Sequence, residues 1–404
     1  MEDLLFLAHR IPYPPNKGDK IRSYHLLKHL SRRYRVHLAT FVDDPDDWQH
    51  VERVEQLCAS SHFAKLDPRL GRLRSLGALL GARALSQDYY RNAALRAYVD
   101  HTMNAHAVKR IVVFSSPMAQ YCQAYPQARR IIDFCDVDSD KWRQYAEKKS
   151  GPMKLLYAYE ARHLLQYERQ VALESDAALF VSAPEAELFR QLAPESASRI
   201  GFFNNGVDTA YFSPDENTPN PFKADQQALV FCGAMDYWPN VDAVSWFAKE
   251  VLPAVRKTHP QAVFYIVGAR PSAEVSQLGA LPGVVVTGTV PDVRPYVAHA
   301  SVCVAPLRVA RGIQNKVLEA MSMAKTVVVT EQALEGIKAE PGRDLLLATD
   351  AAALASTVQS ALSAPDPAMG RAARATVETL YGWSSNLARV DTLLEAASAP
   401  RSAA

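Results

Sequence analysis

Long apolar runs are absent. No stretch of the 404 residues approaches the roughly 18 apolar positions that a membrane-spanning helix needs. Cysteine is scarce as well: the five residues Cys58, Cys122, Cys135, Cys232 and Cys303 are scattered, with no CxxC pair and no histidine cluster at metal spacing. Neither a disulfide framework nor a zinc site follows from them. A charge excess is also missing, because 45 Lys+Arg against 43 Asp+Glu leave a net charge of +2. A general nucleic-acid binder, with its concentrated basic footprint, is therefore excluded. The opening Met1-Glu2-Asp3 and the short apolar run behind it lack the basic region and apolar core of a secretion signal, so a cytoplasmic location is expected. What is present is ordinary for a folded chain: 48% hydrophobic and 22% charged residues exclude wholesale disorder. At roughly 100 to 200 residues per domain the length implies two or three domains, most naturally two near-equal halves.

Short apolar runs alternate with amphipathic stretches, which predicts βα units around parallel sheets. Strands are expected at 3–8, 35–41, 110–115, 129–134, 177–182 and 199–203, then at 228–233, 262–268, 283–287, 302–306, 326–330 and 344–348. Helices are expected at 17–33, 152–174, 241–258 and 313–324. Each half thus reads as a doubly wound α/β domain. The aperiodic stretch 204–228, with its Asn-Gly, Ser-Pro and Thr-Pro-Asn-Pro, marks the boundary. The expected division is 1–205, 206–375, and a helix with a frayed tail over 376–404. Residues 69–85 carry leucines at helical spacing with Arg69, Arg72, Arg74 and Arg83 and no acid. They read as a helix capping the first domain, or as a basic helix resting on an anionic membrane surface.

The most informative segment is 306–330, PLRVARGIQNKVLEAMSMAKTVVVT. A strand ends at Pro306, a loop carries Arg308 and Arg311, and Gly312 opens a helix holding Asn315, Lys316 and Glu319. Free amides and the positive helix end suit a pyrophosphate there, with the cations adding contacts. Glu319, further along the helix, can accept hydrogen bonds from two ribose hydroxyls. A solvated surface helix is the alternative for that composition. Gly233, Gly268 and Val290 follow successive expected strands, where backbone can cradle a nucleotide or simply turn. In the first domain, the turn PYPPNKGDKIRS holds Lys17, Gly18, Lys20 and Arg22, a glycine for close approach and cations for an anionic partner. The run DFCDVDSDKW contains a literal Asp-x-Asp at Asp136 and Asp138. A metal role is set aside in favour of Asp136 contacting the donor sugar or acceptor hydroxyl, with Asp138 and Ser139 capping the next helix. Asp43, Asp44, Asp46 and Asp47 read as a solvated loop.

The run Lys-Val-Leu-Glu-Ala-Met at 316–321, the valines after Lys325, and Glu335-Gly336 resemble the donor site of the large retaining glycosyltransferase family four, which has the GT-B fold. Asn204-Asn205-Gly206-Val207-Asp208 with Phe212-Ser213-Pro214 resembles that family's crossover signature, in which Asn-Gly supplies a turn with positive φ. Members commonly carry two glutamates in the donor segment; the second matches Glu319 and the first falls on Arg311. The Arg and Lys that members place after the first strand of the second domain are missing from FCGAMDYWPN, which moves phosphate contact to Arg308, Arg311 and Lys316. The first-domain motifs also resemble sugar transferases of PEP-CTERM and exosortase-type exopolysaccharide systems.

The resemblance implies two Rossmann-like domains facing across a cleft, the second binding a nucleotide sugar of UDP or GDP type, and no cofactor or metal. Transfer with retention by front-face attack is implied, to a glycan or lipid-linked acceptor. It also implies a final helix, over 372–395 with a kink at Trp383, returning to the first domain, and peripheral contact with the inner membrane. Lys316, Arg311 and Asp136 are the expected catalytic residues; Glu319, Asn315, Gly312, Arg308, Gly233, Gly268 and Val290 the donor contacts; and Gly18, Lys17 and Arg22 the acceptor loop. A nucleotide-sugar epimerase or a phosphorylase on the same fold, or a catalytically silent binding scaffold of a polysaccharide assembly complex, are the alternatives.

Overall fold

The computed structural model describes residues 1–15, 18–147, 149–215, 217–310 and 313–396. The chain forms two compact units, one of residues 1–205 joined by the described residues from Asn386 on, the other spanning Gly206–Ser385.

The first unit is built on β1 (Glu2–Ala8), β2 (Tyr34–Val42), β3 (Ser60–Lys65), β4 (Arg110–Phe114), β5 (Arg129–Cys135), β6 (Ala177–Phe180) and β7 (Ile200–Phe202). They form one parallel sheet in the order β3-β2-β1-β4-β5-β6-β7. Leu4 to Ala8 of the central β1 are fully buried, as a strand covered by helices on both faces must be. β3 is the strand that the apolar pattern misses. Its sequence, Ser-Ser-His-Phe-Ala-Lys, is mostly polar because it lies at the sheet edge, paired on one side with β2.

Two buried carboxylates on the long helix Gly151–Glu174 hold neighbouring segments by their amides. Glu160 accepts from Leu85 N (2.5 Å) and Ser86 N (3.1 Å), and Glu168 accepts from Ser139 Oγ (2.5 Å). The second unit closes with two helices, Pro367–Leu380 and Trp383–Glu395, where one kinked helix was expected. From Asn386 on, the last of them belongs to the first unit: Leu387, Val390 and Leu394 are buried, and Arg129 and Arg110 donate to the Leu393 and Leu394 carbonyls. Cations at a helix C-terminus are favourably placed.

The second unit is built on β8 (Gln227–Cys232), β9 (Ala262–Val267), β10 (Val284–Gly288), β11 (Val302–Ala305), β12 (Val327–Val329) and β13 (Leu346–Leu347), all parallel, in the order β10-β9-β8-β11-β12-β13. It extends past residue 375 to Ser385, because helix Pro367–Leu380 packs on helix Asn315–Ser322. Arg374 donates to the Ser322 carbonyl at 2.5 Å, and Gly370 leaves no room for a Cβ against the Ala324 carbonyl. The helix expected over 241–258 starts earlier, at Trp238, and contains a π turn at Phe247–Val251. Pro253 accounts for the irregularity, since it has no N–H to give to the preceding turn.

The crossover segment departs from its sequence reading. Gly206 does not have positive φ. It is small because the chain presses on Trp383, whose backbone N would lie 2.8 Å from a Cβ, while Val207 N donates to the Tyr381 carbonyl at 2.8 Å.

Candidate functional site

In the second unit the carboxyl ends of β8, β9, β10 and β11 gather most of the expected donor residues. The three glycine-bearing ends are laced together by backbone: Gly233 N donates to the Val267 carbonyl (3.0 Å), Met235 N to the Ala269 carbonyl (2.8 Å), and Gly268 N to the Gly288 carbonyl (3.3 Å). At Gly268 a Cβ would fall 1.6 Å from the Gly233 carbonyl oxygen, so only glycine permits these two turns to touch. Val290 is half-buried in the loop beyond Gly288, packed against the core of this unit.

Helix Asn315–Ser322 follows β11. Its buried residues Val317, Leu318, Ala320 and Met321 pack inward, and Asn315, Lys316 and Glu319 remain partly accessible. The first amides of any helix lack intrahelical partners, so the end that starts at Asn315 suits an anion. Arg311 and Gly312 lie outside the described residues. Lys316 is held in place: its Nζ donates to Asn240 Oδ1 at 2.9 Å and lies 5.0 Å from the centre of the Phe231 ring. Asn240 is itself buried, and its Nδ2 donates to the Ala234 carbonyl at 2.9 Å. Gly233 makes room for it, since a Cβ there would meet Asn240 Nδ2 at 2.7 Å. Asn240 was not singled out from sequence, and the fold brings it against Lys316 from 76 positions back. Its inward face is what signals a role.

Arg308 is committed elsewhere. Its Nε donates to Asp242 at 3.0 Å, on helix Trp238–Trp246, so a phosphate would have to compete with a carboxylate for it. Arg270, not singled out from sequence, stands next to the glycine turn and pairs with Asp236 at 2.8 Å while remaining largely exposed. It is an accessible cation at the same strand ends.

Burial sets the electrostatics of the Lys316 and Glu319 pair. Desolvation pushes the Lys316 ammonium down to about 8 and the Glu319 carboxyl up to about 7, and the attraction between the two opposes both shifts. A carboxyl raised on folding stabilises the fold below its unfolded value, here about 4.5, and that contribution is lost as pH rises through about 7. Glu319→Gln is therefore expected to flatten the fall in stability across that window, read as the denaturation midpoint against pH. An unchanged slope would locate the titration elsewhere.

In the first unit the acceptor-loop expectation is corrected at Arg22. Lys17 lies outside the described residues. Gly18 opens helix Gly18–Leu30 in open space, where a Cβ would meet nothing within 4 Å. Arg22 faces inward and is fully buried. Its Nε and Nη2 clamp Asp133 at 2.7 and 3.1 Å, Nη1 reaches the Phe203 carbonyl (2.9 Å) and Asn205 Oδ1 (3.0 Å), and Nη2 also reaches the Phe180 carbonyl (3.3 Å). Its hydrogen-bonding capacity is used up, leaving nothing for a ligand. Lys20 is buried too, on Asp47 at 2.5 Å. Asp47 is thus not part of a solvated loop, and Asp43 pairs with Arg10 at 2.9 Å. Asp136 remains partly accessible beyond β5, sharing Lys141 Nζ with Asp138 at 2.6 and 3.2 Å. An ammonium thus bridges the Asp-x-Asp carboxylates. Among the described residues, the one group with ligand atoms close enough for a metal ion is Asp3, His37 and His106, and both ring nitrogens of His37 already have partners, Asp3 and Ser60.

Residues 226–364 match the family model Glycosyl transferases group 1. The chain is similar in structure to sucrose-phosphate synthase from Thermosynechococcus elongatus, with a TM-score of 0.63 and 16% identity over 97% of this chain and 98% of that one. The fold is GT-B. A second GT-B likeness is HepE of Anabaena in complex with UDP, with a TM-score of 0.64 and 16% identity over 97% of this chain and 99% of that one. A third is WaaG, a glycosyltransferase involved in lipopolysaccharide biosynthesis, with a TM-score of 0.58 and 16% identity over 98% of this chain and all of that one. No curated protein sequence matches the chain. The matched glycosyltransferase domain contains Gly233, Asn240, Gly268, Lys316 and Glu319, the residues the GT-B second unit gathers at its strand ends.

Proposed function

We propose that this chain is a cytoplasmic glycosyltransferase moving a sugar from a nucleotide-sugar donor to a saccharide or lipid-linked acceptor, with retention of configuration, in building an exopolysaccharide or other cell-surface glycan. The observation that carries this reading is the Lys316 and Glu319 pair. An anchored ammonium and a partly accessible carboxyl share one helix beside glycine turns, inside a domain that matches glycosyl transferases. UDP is the proposed nucleotide, supported by HepE having been solved with it, and GDP is the competing one.

In this reading the bond from the anomeric carbon to the diphosphate oxygen breaks with its electron pair on the diphosphate. Lys316, fixed by Asn240, neutralises that charge without reorganising. The acceptor hydroxyl oxygen bonds to the same face of the sugar, and its proton passes to the departing diphosphate. Glu319 holds the ribose, and Asp136, steadied by Lys141, contacts the sugar or acceptor hydroxyl. A lipid-linked acceptor would be met at a membrane surface.

The test is thermal unfolding with UDP, GDP, ADP and their sugar conjugates, beside Glu319→Ala. A nucleotide at a hundred times its dissociation constant should add about 2.7 kcal/mol to the wild type and far less to the variant. Stabilisation of neither by any nucleotide would overturn the donor reading.

A further inference from the structure

We propose that Asp3, His37 and His106 bind a divalent metal ion of the zinc class at the amino ends of the first unit's strands. The three lie far apart in the chain, on β1, on β2 and in the turn that ends helix Ala93–Ala105. No sequence spacing announces them. The fold nevertheless brings one ligand atom from each within 4.8 Å of the other two. Leu5 and His37 are register partners in the parallel sheet, so Asp3, two residues before Leu5, lies diagonal to His37 on the same face. His37 Nε2 meets Asp3 Oδ1 at 2.8 Å. The third member comes from the helix end. His106 N donates to the Thr102 carbonyl (3.1 Å) and Val108 N to the Met103 carbonyl (3.3 Å), while Ala107 between them takes a φ of +46°, the left-handed step that commonly ends a helix. This turn lays the His106 ring on that of His37, with ring centres 4.4 Å apart and planes at 25°.

The donor set selects the ion. Two imidazoles and one carboxylate suit zinc, cobalt and nickel, whereas magnesium and calcium are held by oxygen ligands. Three protein ligands leave a fourth position for water. His37 is buried, and its second ring nitrogen, Nδ1, lies 2.7 Å from Ser60 Oγ, which lies 2.6 Å from the Tyr98 hydroxyl. A ligating histidine holds its second ring nitrogen on such a partner, which fixes both the ring and the tautomer. With the ion on Nε2, the imidazole proton resides on Nδ1 and is donated to Ser60 Oγ, whose own hydroxyl donates to Tyr98. His106 is exposed, so it gives the ion an entry path and can turn a nitrogen toward it. Arg35 is the competing cation, 3.5 Å from Asp3 Oδ1, and its side chain is 54% exposed and can withdraw into water. The ion would fasten β1, β2 and the helix end at the strand ends opposite Asp136. Its effect is therefore on the stability of the first unit and not on the proposed transfer.

The test uses the full chain freed of metal by a chelator and dialysis. Stoichiometric Co²⁺ should produce the visible absorption of a tetrahedral site, and Zn²⁺ should bleach it. Excess Zn²⁺ should raise the unfolding midpoint by about 4 °C or more, and Mg²⁺ should not. His106→Ala, at an exposed position, should keep its midpoint in the absence of metal, lose the Co²⁺ absorption and bind Zn²⁺ at least about tenfold more weakly. Ser60→Ala should also weaken Zn²⁺ binding by about tenfold or more, because it removes the group that orients His37. Absent tetrahedral Co²⁺ absorption would overturn the proposal. So would a His106→Ala variant that binds Co²⁺ like wild type, which would place the ion elsewhere. Glu319→Ala should bind Co²⁺ unchanged, so failure of the donor reading and failure of this one are told apart.

Discussion

Arg22→Met is expected to destabilise the protein by about 3–5 kcal/mol, the cost of leaving one member of a buried ion pair alone. The substitution strands the Asp133 carboxylate, the Phe203 and Phe180 carbonyls and Asn205 Oδ1 without their buried donor. It also removes a guanidinium stacked 3.5 Å over the Phe203 ring. Arg22→Lys should recover little, because an ammonium cannot reproduce the fork that clamps both Asp133 oxygens. Arg22→Met combined with Asp133→Leu should recover a substantial part, since no buried charge is then left unpaired. Urea denaturation at neutral pH measures all three. If Arg22 were a cation for an anionic acceptor, as its place in GDKIRS invites, Arg22→Met would instead leave stability nearly unchanged and raise KM.

Lys316→Met is expected to lower kcat by about 10²–10³, the loss typical of removing one preorganised contact to developing negative charge. Stability should hold or rise, because burial disfavours the Lys316 charge and methionine of similar length removes that penalty. The pH dependence follows from the same pair. In the proposed reading, ribose binding needs Glu319 ionised, so kcat/KM should rise through about 7, and charge stabilisation needs Lys316 protonated, so it should fall through about 8. Asn240→Ala should lower kcat in the same direction with a smaller effect, since it frees the ammonium without removing it. Near-normal turnover in Lys316→Met would transfer the charge to Arg270 or to the arginines of the 308–311 loop.

Much of this was legible along the chain. Continuous apolar runs such as Leu4 to Ala8 and Val263 to Val267 name buried parallel strands, because both faces of such strands are covered. Gly268 at a strand end, and the spacing of Asn315, Lys316 and Glu319 on one helix, are local patterns, and the structure keeps them together at one set of strand ends. The polar edge strand β3 was not legible, because half of an edge strand's environment is solvent and its pattern carries little apolar signal. For residues 69–85 the sequence left a capping helix and a membrane-surface helix both open, and the fold turns Leu70, Leu73, Leu76 and Leu79 outward, since periodicity reports that a face exists and not which way it turns.

Most of the strands and helices, the two α/β units and the helix Asn315–Ser322 thus follow from the sequence, because their signals are apolar and polar patterns over neighbouring residues. The fate of individual cations does not. Lys20 and Arg22 find their carboxylates 27 and 111 positions away and are buried by them, while Lys316 is steadied by an asparagine 76 positions back and stays available. Whether a charge binds a ligand or the protein itself is settled by which distant element closes over it, and that depends on the packed fold.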